Sequence, residues 1–256
     1  MTKFVTFHDL KAASVFITGG GSGIGASLTE GFIEQGAKVA FVQRSDASAF
    51  VADILDKYGV APLFIQCDIS DISALQDAMA QAAAVNGPIS VLVNNAANDM
   101  RHTLQDYTPE AWEMGMSVNL RPHFFTAQAV APGMKRLGCG SIINFSSISY
   151  MMGNAGYPGY VASKAAITGL TRGLARELGP DGIRVNTLLP GWVLTQKQLD
   201  MWATPEDLVA HLERQCLKDH LAPRDIVDAT LFLASQASRM ITAQAMVVDG
   251  GVVVTG

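Results

Sequence analysis

A phenol and an ammonium stand four residues apart in Tyr160-Val161-Ala162-Ser163-Lys164, a spacing that puts both on one face of a helix. A tyrosine ordinarily titrates near ~10, so it takes up a proton at neutral pH only where a positive charge favours the phenolate. Lys164 can supply that charge. On a solvated helix face the same pair would do no chemistry, so the reading depends on its neighbours. Two polar groups, Ser146-Ser147 and Asn94-Asn95-Ala96-Ala97, each end a short apolar run. Open parallel sheets bind ligands at the carboxyl ends of their strands. A Ser147 hydroxyl there can hold a reacting oxygen beside Tyr160, and small residues leave room for a flat ring. The alternative for either serine is a turn hydroxyl that satisfies local backbone groups.

A second set of residues suits phosphate. Thr18-Gly19-Gly20-Gly21-Ser22-Gly23-Ile24-Gly25 follows one apolar run and opens an amphipathic stretch. Glycines allow a sharp turn, and free N–H groups at a helix start attract negative charge, here at Gly19, Ser22, Gly23, Ile24 and Gly25. A purely structural turn can have this composition too. The nucleoside-triphosphate loop is disfavoured, because it needs Lys-Ser or Lys-Thr after its last glycine and Ala26-Ser27 stands there. A dinucleotide fits better. The second apolar run ends Phe41-Val42-Gln43-Arg44-Ser45, with no acid to bind the adenosine ribose hydroxyls. Arg44 can pair with a 2′-phosphate, so NADP is expected to be preferred and NAD is the alternative.

The elements that must position these groups follow a simple alternation. Short β-branched runs at 14–18, 38–43, 62–68, 90–95, 141–146, 184–189 and 245–248 read as strands. Helical stretches such as 23–35, 72–86, 110–137 and 159–178 separate them. That pattern predicts seven strands in one parallel sheet covered by helices on both faces. Gly36, Gly87, Gly138 and Gly182 fall where helices should stop. Residues 191–222 break the alternation with two tryptophans and a Thr204-Pro205 helix start, and read as a lid over a site or as an ordinary surface helical pair.

Bulk properties narrow the partners. The chain has 256 residues, 49% hydrophobic and 16% charged, enough for one sizeable core and a single domain over 1–256. A formal charge of −5 leaves no cationic excess for nucleic acid or an anionic membrane. Cys67, Cys139 and Cys216 show no CxxC spacing, and the five histidines form no metal-binding spacing with carboxylates, so no disulfide framework and no metal site are expected. Without a leader-like start or a membrane-length apolar run, the chain is expected in the cytoplasm.

Taken in order, these residues resemble the short-chain dehydrogenase/reductase family over nearly the whole chain. The matches are Thr18-Gly19-x-x-x-Gly23-x-Gly25, Asp68, Asn94-Asn95-Ala96, Asn119, Ser147, Tyr160-x-x-x-Lys164, Pro190-Gly191 and Asp249-Gly250-Gly251. Separation from Tyr160 selects Ser147 over Ser146. Ala97 stands where the family usually has glycine and narrows the cofactor channel. The resemblance implies a Rossmann-like, doubly wound α/β fold and a homo-oligomer, dimer or tetramer. It also implies roles: Tyr160 as acid/base, Lys164 on the nicotinamide ribose and lowering the phenol's pKa, Ser147 orienting substrate, and Asn119 supporting a water relay. Asp68 and Ile69 would meet the adenine. Asn95, Ala96, Ala97, Pro190, Gly191, Val193 and Thr195 would line the ribose and nicotinamide.

More closely, the chain resembles bacterial aldose 1-dehydrogenases of this family, through Asn98-Asp99-x-Arg101-His102, Asn119-Leu120-Arg121, 128–135, 175–181 and 215–218. A sugar needs a polar partner for each hydroxyl. Asn98, Asp99 and Arg101 follow one strand, Ser149, Asn154 and Tyr157 lie between Ser147 and Tyr160, and Trp192 and Gln196 can close the other side. His102 reads as a surface-loop histidine. The expected reaction moves hydride from C1 of an aldose to the nicotinamide and yields the lactone. Alternatives are another activity on the same scaffold, such as 3-oxoacyl thioester reduction or secondary-alcohol oxidation, and an NADP-sensing protein without turnover.

Overall fold

The computed structural model describes residues 5–254. Seven strands form one sheet: β1 Ser14–Thr18, β2 Lys38–Gln43, β3 Leu63–Gln66, β4 Val91–Asn94, β5 Gly140–Phe145, β6 Ile183–Pro190 and β7 Ala245–Val248. Their order is β3-β2-β1-β4-β5-β6-β7 and every pairing is parallel. The helices are α1 Gly23–Glu34, α2 Ser48–Tyr58, α3 Ile72–Asn86, α4 Pro109–Asn119, α5 Arg121–Leu137, α6 Ser149–Met152, α7 Pro158–Leu178, α8 Gln196–Met201, α9 Pro205–Arg214 and α10 Pro223–Ala234.

Strand alternation assigns the two faces. Val15 and Ile17 join Phe41, Val93 and Phe145 in a core with Leu28 and Phe32 of α1 and Ile226 and Leu231 of α10. Phe16, Leu92, Ile142 and Val185 point the other way, onto Leu75 of α3, Met134 of α5 and Leu178 of α7. Both faces are covered, which explains why the central strands read as continuous apolar runs.

Near the carboxyl end the second face changes character. Thr18 is in register with Asn94, Asn94 with Asn144, and Asn144 with Thr187, so one row across four strands is polar. These side chains are buried, and Asn94, Asn144 and Thr187 are tied into one hydrogen-bonded chain by two helix threonines. Thr126 of α5 donates to Asn94 Oδ1 (2.9 Å), Asn94 Nδ2 donates to Asn144 Oδ1 (2.9 Å), and Asn144 Nδ2 donates to Thr171 of α7 (2.9 Å). Thr187 donates to Thr171 at 2.8 Å. Leaving one such buried group unmatched costs about 1–3 kcal/mol, so this row fixes how α5 and α7 sit over the strand ends.

The structure differs from the sequence expectation in one element that matters. The expected helix at 110–137 is two helices, broken at Leu120 (φ −127°, ψ −53°). Pro122 has no N–H to continue the first helix and favours a first-turn position in the second. The break frees Asn119 to face the loop after β4. Residues 191–222 hold α8 and α9, and Thr204 caps α9 by accepting from Asp207 N–H (3.1 Å). Among the described residues, no helix is long and apolar enough to cross a membrane, and no group of three or more His, Cys, Asp or Glu is arranged to hold a metal ion.

Candidate active site

The floor of the site is built from the ends of β4 and β5 and the first turns of α7. Tyr160 and Lys164 lie on one face of α7, with the Lys164 Nζ 5.5 Å from the Tyr160 ring centre. Lys164 is buried, donates from Nζ to the Phe145 carbonyl (2.8 Å), and its own carbonyl accepts from Ser146 Oγ (2.6 Å). Ser146 thus anchors the helix. Ser147 is turned toward the reaction site: it favours the ionised form of the Tyr160 phenol, and its Oγ accepts from Ser149 N–H at 3.1 Å.

The chain's own electrostatics run against an acidic phenol. Burial and then the Asp99 carboxylate push the Tyr160 phenol well above its ordinary range, and Ser147 and Arg101 only partly oppose them. Burial also brings Lys164 down to about 7. An ammonium that is itself expensive to charge gives little help to a neighbouring phenolate. With this chain's residues alone, the phenol holds its proton at neutral pH.

His123 of α5, which the sequence analysis did not single out, lies beneath the same floor. It is buried, and neither ring nitrogen has a hydrogen-bond partner. Burial first and Lys164 second lower its pKa to about 3, while the Phe145 and Asn94 carbonyls oppose the shift without meeting hydrogen-bond geometry. The residue pattern of an amphipathic helix offers no sign of this, because a lone histidine reads as exposed.

The dinucleotide end is a set of backbone donors. Gly19 (φ +70°) turns the chain, and a Cβ on Gly25 would stand 1.8 Å from the Gly19 carbonyl oxygen, so only glycine lets α1 start so close to β1. Ser22 precedes α1 without capping it, and the first turn carries no acid, which leaves N–H groups for an anion. Asn95 is spent on the turn itself, donating to the carbonyls of Thr18 and Gly19 (3.1 Å each). The N–H groups of Asn95 and Ala96 donate to Thr18 Oγ1, and Ala97 is exposed beyond them.

At the adenosine side, Arg44 and Ser45 are exposed, and Gln43 donates to Ser45 Oγ (3.0 Å) while its own Oε1 is buried without a partner. The backbone N–H and hydroxyl of Ser70, with Arg44 nearby, hold Asp68 below the usual carboxylate range. Ile69 is buried in the core. The orphaned Gln43 oxygen, the uncapped helix start and Arg44 together fit a nicotinamide dinucleotide. Pro190 accepts from Ile148 N–H, Gly191 packs against Asp249, and Val193 is buried. Thr195 caps α8 and rests over Gly23, so this segment borders the turn.

The rim gathers most of the expected substrate residues. Asn98 N–H donates to Asn119 Oδ1 (2.7 Å) and Asn119 Nδ2 donates back to the Asn98 carbonyl (2.9 Å). Arg101 lies over the Tyr157 ring (3.8 Å), Tyr157 stacks on Tyr160 (5.2 Å), and Asn154 donates to the Tyr157 hydroxyl (3.2 Å). Ser149 is buried with an unpartnered hydroxyl. Asp99 accepts from Lys197 (2.6 Å) and Gln198 (2.9 Å), and Gln198 Oε1 accepts from Trp192 Nε1 (3.0 Å). Gln196 is not brought to the site: it is exposed and donates to Asp200 of its own helix. Gln198 and Lys197 take the place expected of it, because α8 presents the other side of its short turn. Burial pushes the Asp99 carboxyl up, but Lys197 and Gln198 outweigh it and hold it below the usual range.

A glycine-turned dinucleotide cradle beside a Ser147-Tyr160-Lys164 floor points to one family. The family model described as Enoyl-(Acyl carrier protein) reductase matches residues 19–253. The chain belongs to the short-chain dehydrogenase/reductase family. A relative from Rhizobium meliloti (strain 1021), named "Probable galactose dehydrogenase GalD", is 50% identical over 248 residues, 96% of this chain and 97% of that protein. D-xylose 1-dehydrogenase of Caulobacter vibrioides (strain NA1000 / CB15N) is 43% identical over 247 residues, again 96% and 97%. Among solved structures, a blue fluorescent protein from a metagenomic library in complex with NADPH matches with a TM-score of 0.87 and 35% identity, over 96% of this chain and 100% of that one. This short-chain dehydrogenase/reductase is therefore an oxidoreductase with a nicotinamide cofactor site.

Proposed function

We propose that this oxidoreductase oxidises an aldose at C1 to the lactone and prefers NADP. The observation that carries the reading is the rim: Asp99 and Arg101 act electrostatically on the Tyr160 phenol, and Asn98, Asn154, Trp192 and Gln198 add polar groups bonded to Asn119, to Tyr157 and to each other. Such a lining matches a ligand whose every carbon carries a hydroxyl. The names of the galactose and xylose relatives support the same class.

The chain's residues divide the work. Ser147 holds the C1 oxygen beside Tyr160, whose phenolate form takes up the hydroxyl proton. The stacked Tyr157 and the Arg101 above it wall the phenol from water. Asn119 and Lys164 keep the loop and helix in place around them. The dinucleotide would lie along Gly19 to Gly25, with Arg44 and Ser45 at the adenosine phosphate, Asp68 and Ile69 at adenine, and Asn95 to Ala97 with Pro190 to Thr195 at the other end. When bound and oxidised, it supplies the acceptor for the C1 hydride and a positive charge beside the phenol.

A thioester reductase needs free cations at its entrance for a carrier phosphate. Here Lys197 is paired with Asp99, Lys218 donates to the carbonyls of Leu212 (2.8 Å) and Glu213 (3.1 Å), and Arg214, which reaches Met152 Sδ (3.3 Å), is a single cation and not a cluster. We also propose one domain over 1–256, closure of 191–222 on the substrate, and a dimer or tetramer, which the exposed Met114, Phe124 and Leu137 on α4 and α5 support. The test is a panel of aldoses with NADP or NAD, followed at the nicotinamide absorbance with the lactone identified. Turnover of one or more aldoses with higher kcat/KM for NADP is expected. Silence with every sugar would reject the substrate class, and a strong NAD preference would reject the role of Arg44.

A further inference from the structure

We infer that His102 is a positioning residue: a neutral imidazole that caps the catalytic helix and fastens the substrate loop to it. The inference rests on the reading of Tyr160 as the acid/base group, one residue beyond the capped position.

α7 begins without help from its own sequence. Its N-cap residue, Tyr157 (φ −167°, ψ 56°), makes no side-chain capping bond, and a helix start leaves N–H groups to be satisfied. The Gly159 N–H finds its acceptor 57 residues away, at His102 Nε2 (3.1 Å). The opposite ring nitrogen, Nδ1, lies 3.1 Å from the Met100 carbonyl oxygen. A carbonyl only accepts, so Nδ1 carries the hydrogen and Nε2 the lone pair. Two contacts therefore select one tautomer, and both nitrogens are used within the protein.

The imidazole is also held in place. Its ring stacks on Tyr107 at 3.7 Å and 10°, and its backbone N–H donates to the Gly156 carbonyl (2.8 Å). Two glycines clear the space for Tyr107: a Cβ on Gly159 would lie 2.6 Å from its ring, and one on Gly115 of α4 would lie 2.5 Å from its hydroxyl. A joint that uses three elements and two such glycines is specific. On one side of it run Asn98, Asp99 and Arg101; on the other stands Tyr160. His102 transmits the position of the rim loop to the phenol without touching a substrate.

The experiment combines a spectrum with a rescue series. In ¹⁵N-histidine-labelled protein at neutral pH, the His102 ring is expected to show a protonated Nδ1 and an unprotonated Nε2. His102→Ala should lower kcat by about tenfold and raise KM for the sugar, because both the phenol and the loop lose their fixed relation. His102→Gln, whose amide oxygen can accept from Gly159, should recover most of kcat. His102→Phe keeps a stacking ring but no acceptor and should behave like the alanine variant. A proton on Nε2, or a phenylalanine variant as active as the wild type, would overturn the inference. The spectrum needs no turnover, so it stands apart from any failure of the sugar assignment.

Discussion

Polar side chains are used in opposite ways at the floor of the site and at its rim. In the floor, Asn94, Asn144 and Thr187 are buried and in register and are joined by hydrogen bonds through the buried Thr126 and Thr171 of α5 and α7, and Lys164 is 1% exposed with its ammonium on a carbonyl. At the rim, the Asp99–Lys197 pair has side chains 21% and 48% exposed, and Gln198 and Trp192 complete an open chain. Bonds in a dry interior have no water to replace them, whereas bonds at a wet edge are exchanged for water or for ligand hydroxyls at little cost. The floor fixes geometry, and the rim is free to select.

That contrast breaks most severely if Lys164 is replaced. Lys164→Met should lower kcat by at least about 100-fold, and it should also change how stability depends on pH. Lys164 has a folded pKa near 7 against an unfolded value near 10.5. Between those values the unfolded chain binds more protons, so wild-type stability should rise with pH from about 7 toward 10, where Tyr160 begins to act in the opposite direction. The methionine variant should lack that rise in thermal unfolding scans. Its persistence would show that the ammonium is not desolvated.

Next in size is the polar row. Asn144→Ala leaves Asn94 Nδ2 without its acceptor and takes away one of the two donors to Thr171, so it should cost about 1–3 kcal/mol in denaturant titration, and an unchanged midpoint would mean that water replaces the amide. In the same layer, His123→Gln should flatten acid denaturation. A folded pKa near 3 against 6.5 unfolded means that wild-type stability is full above 6.5 and is lost as pH falls toward 3.

Smaller effects belong to the rim. Asp99→Asn should raise KM for the sugar about tenfold while leaving the melting temperature within a few degrees. Smallest of all, Lys197→Ala should cost under about 1 kcal/mol, as partly exposed pairs generally do. A rim substitution that unfolds the protein would erase the distinction between the two regions.

The parts legible in the sequence are those set by local pattern. β1, β2 and β7 follow directly from their apolar runs, the Tyr160–Lys164 pair follows from its spacing, and the choice of Ser147 over Ser146 follows from the family resemblance. Pro122 was the available signal for the break that separates α4 from α5, but a continuous helical period ran across it. The polar row escaped notice because its partners are up to 50 residues apart, as Asn94 and Asn144 are, and meet only through strand register. The sequence points to Gln196 and not to Gln198, because six residues of α8 contain no period to set which side faces inward. For Tyr160, spacing brings the Lys164 charge near, but burial decides what that charge costs.

The phenol itself is most directly tested by single-turnover kinetics of Tyr160→Phe, with NADPH affinity measured in parallel by fluorescence. Removal of one oxygen should slow hydride transfer by at least about 1,000-fold while leaving cofactor affinity within about twofold. A phenylalanine variant that transfers hydride at a rate comparable to the wild type would contradict the assignment of Tyr160 as the proton-exchanging group.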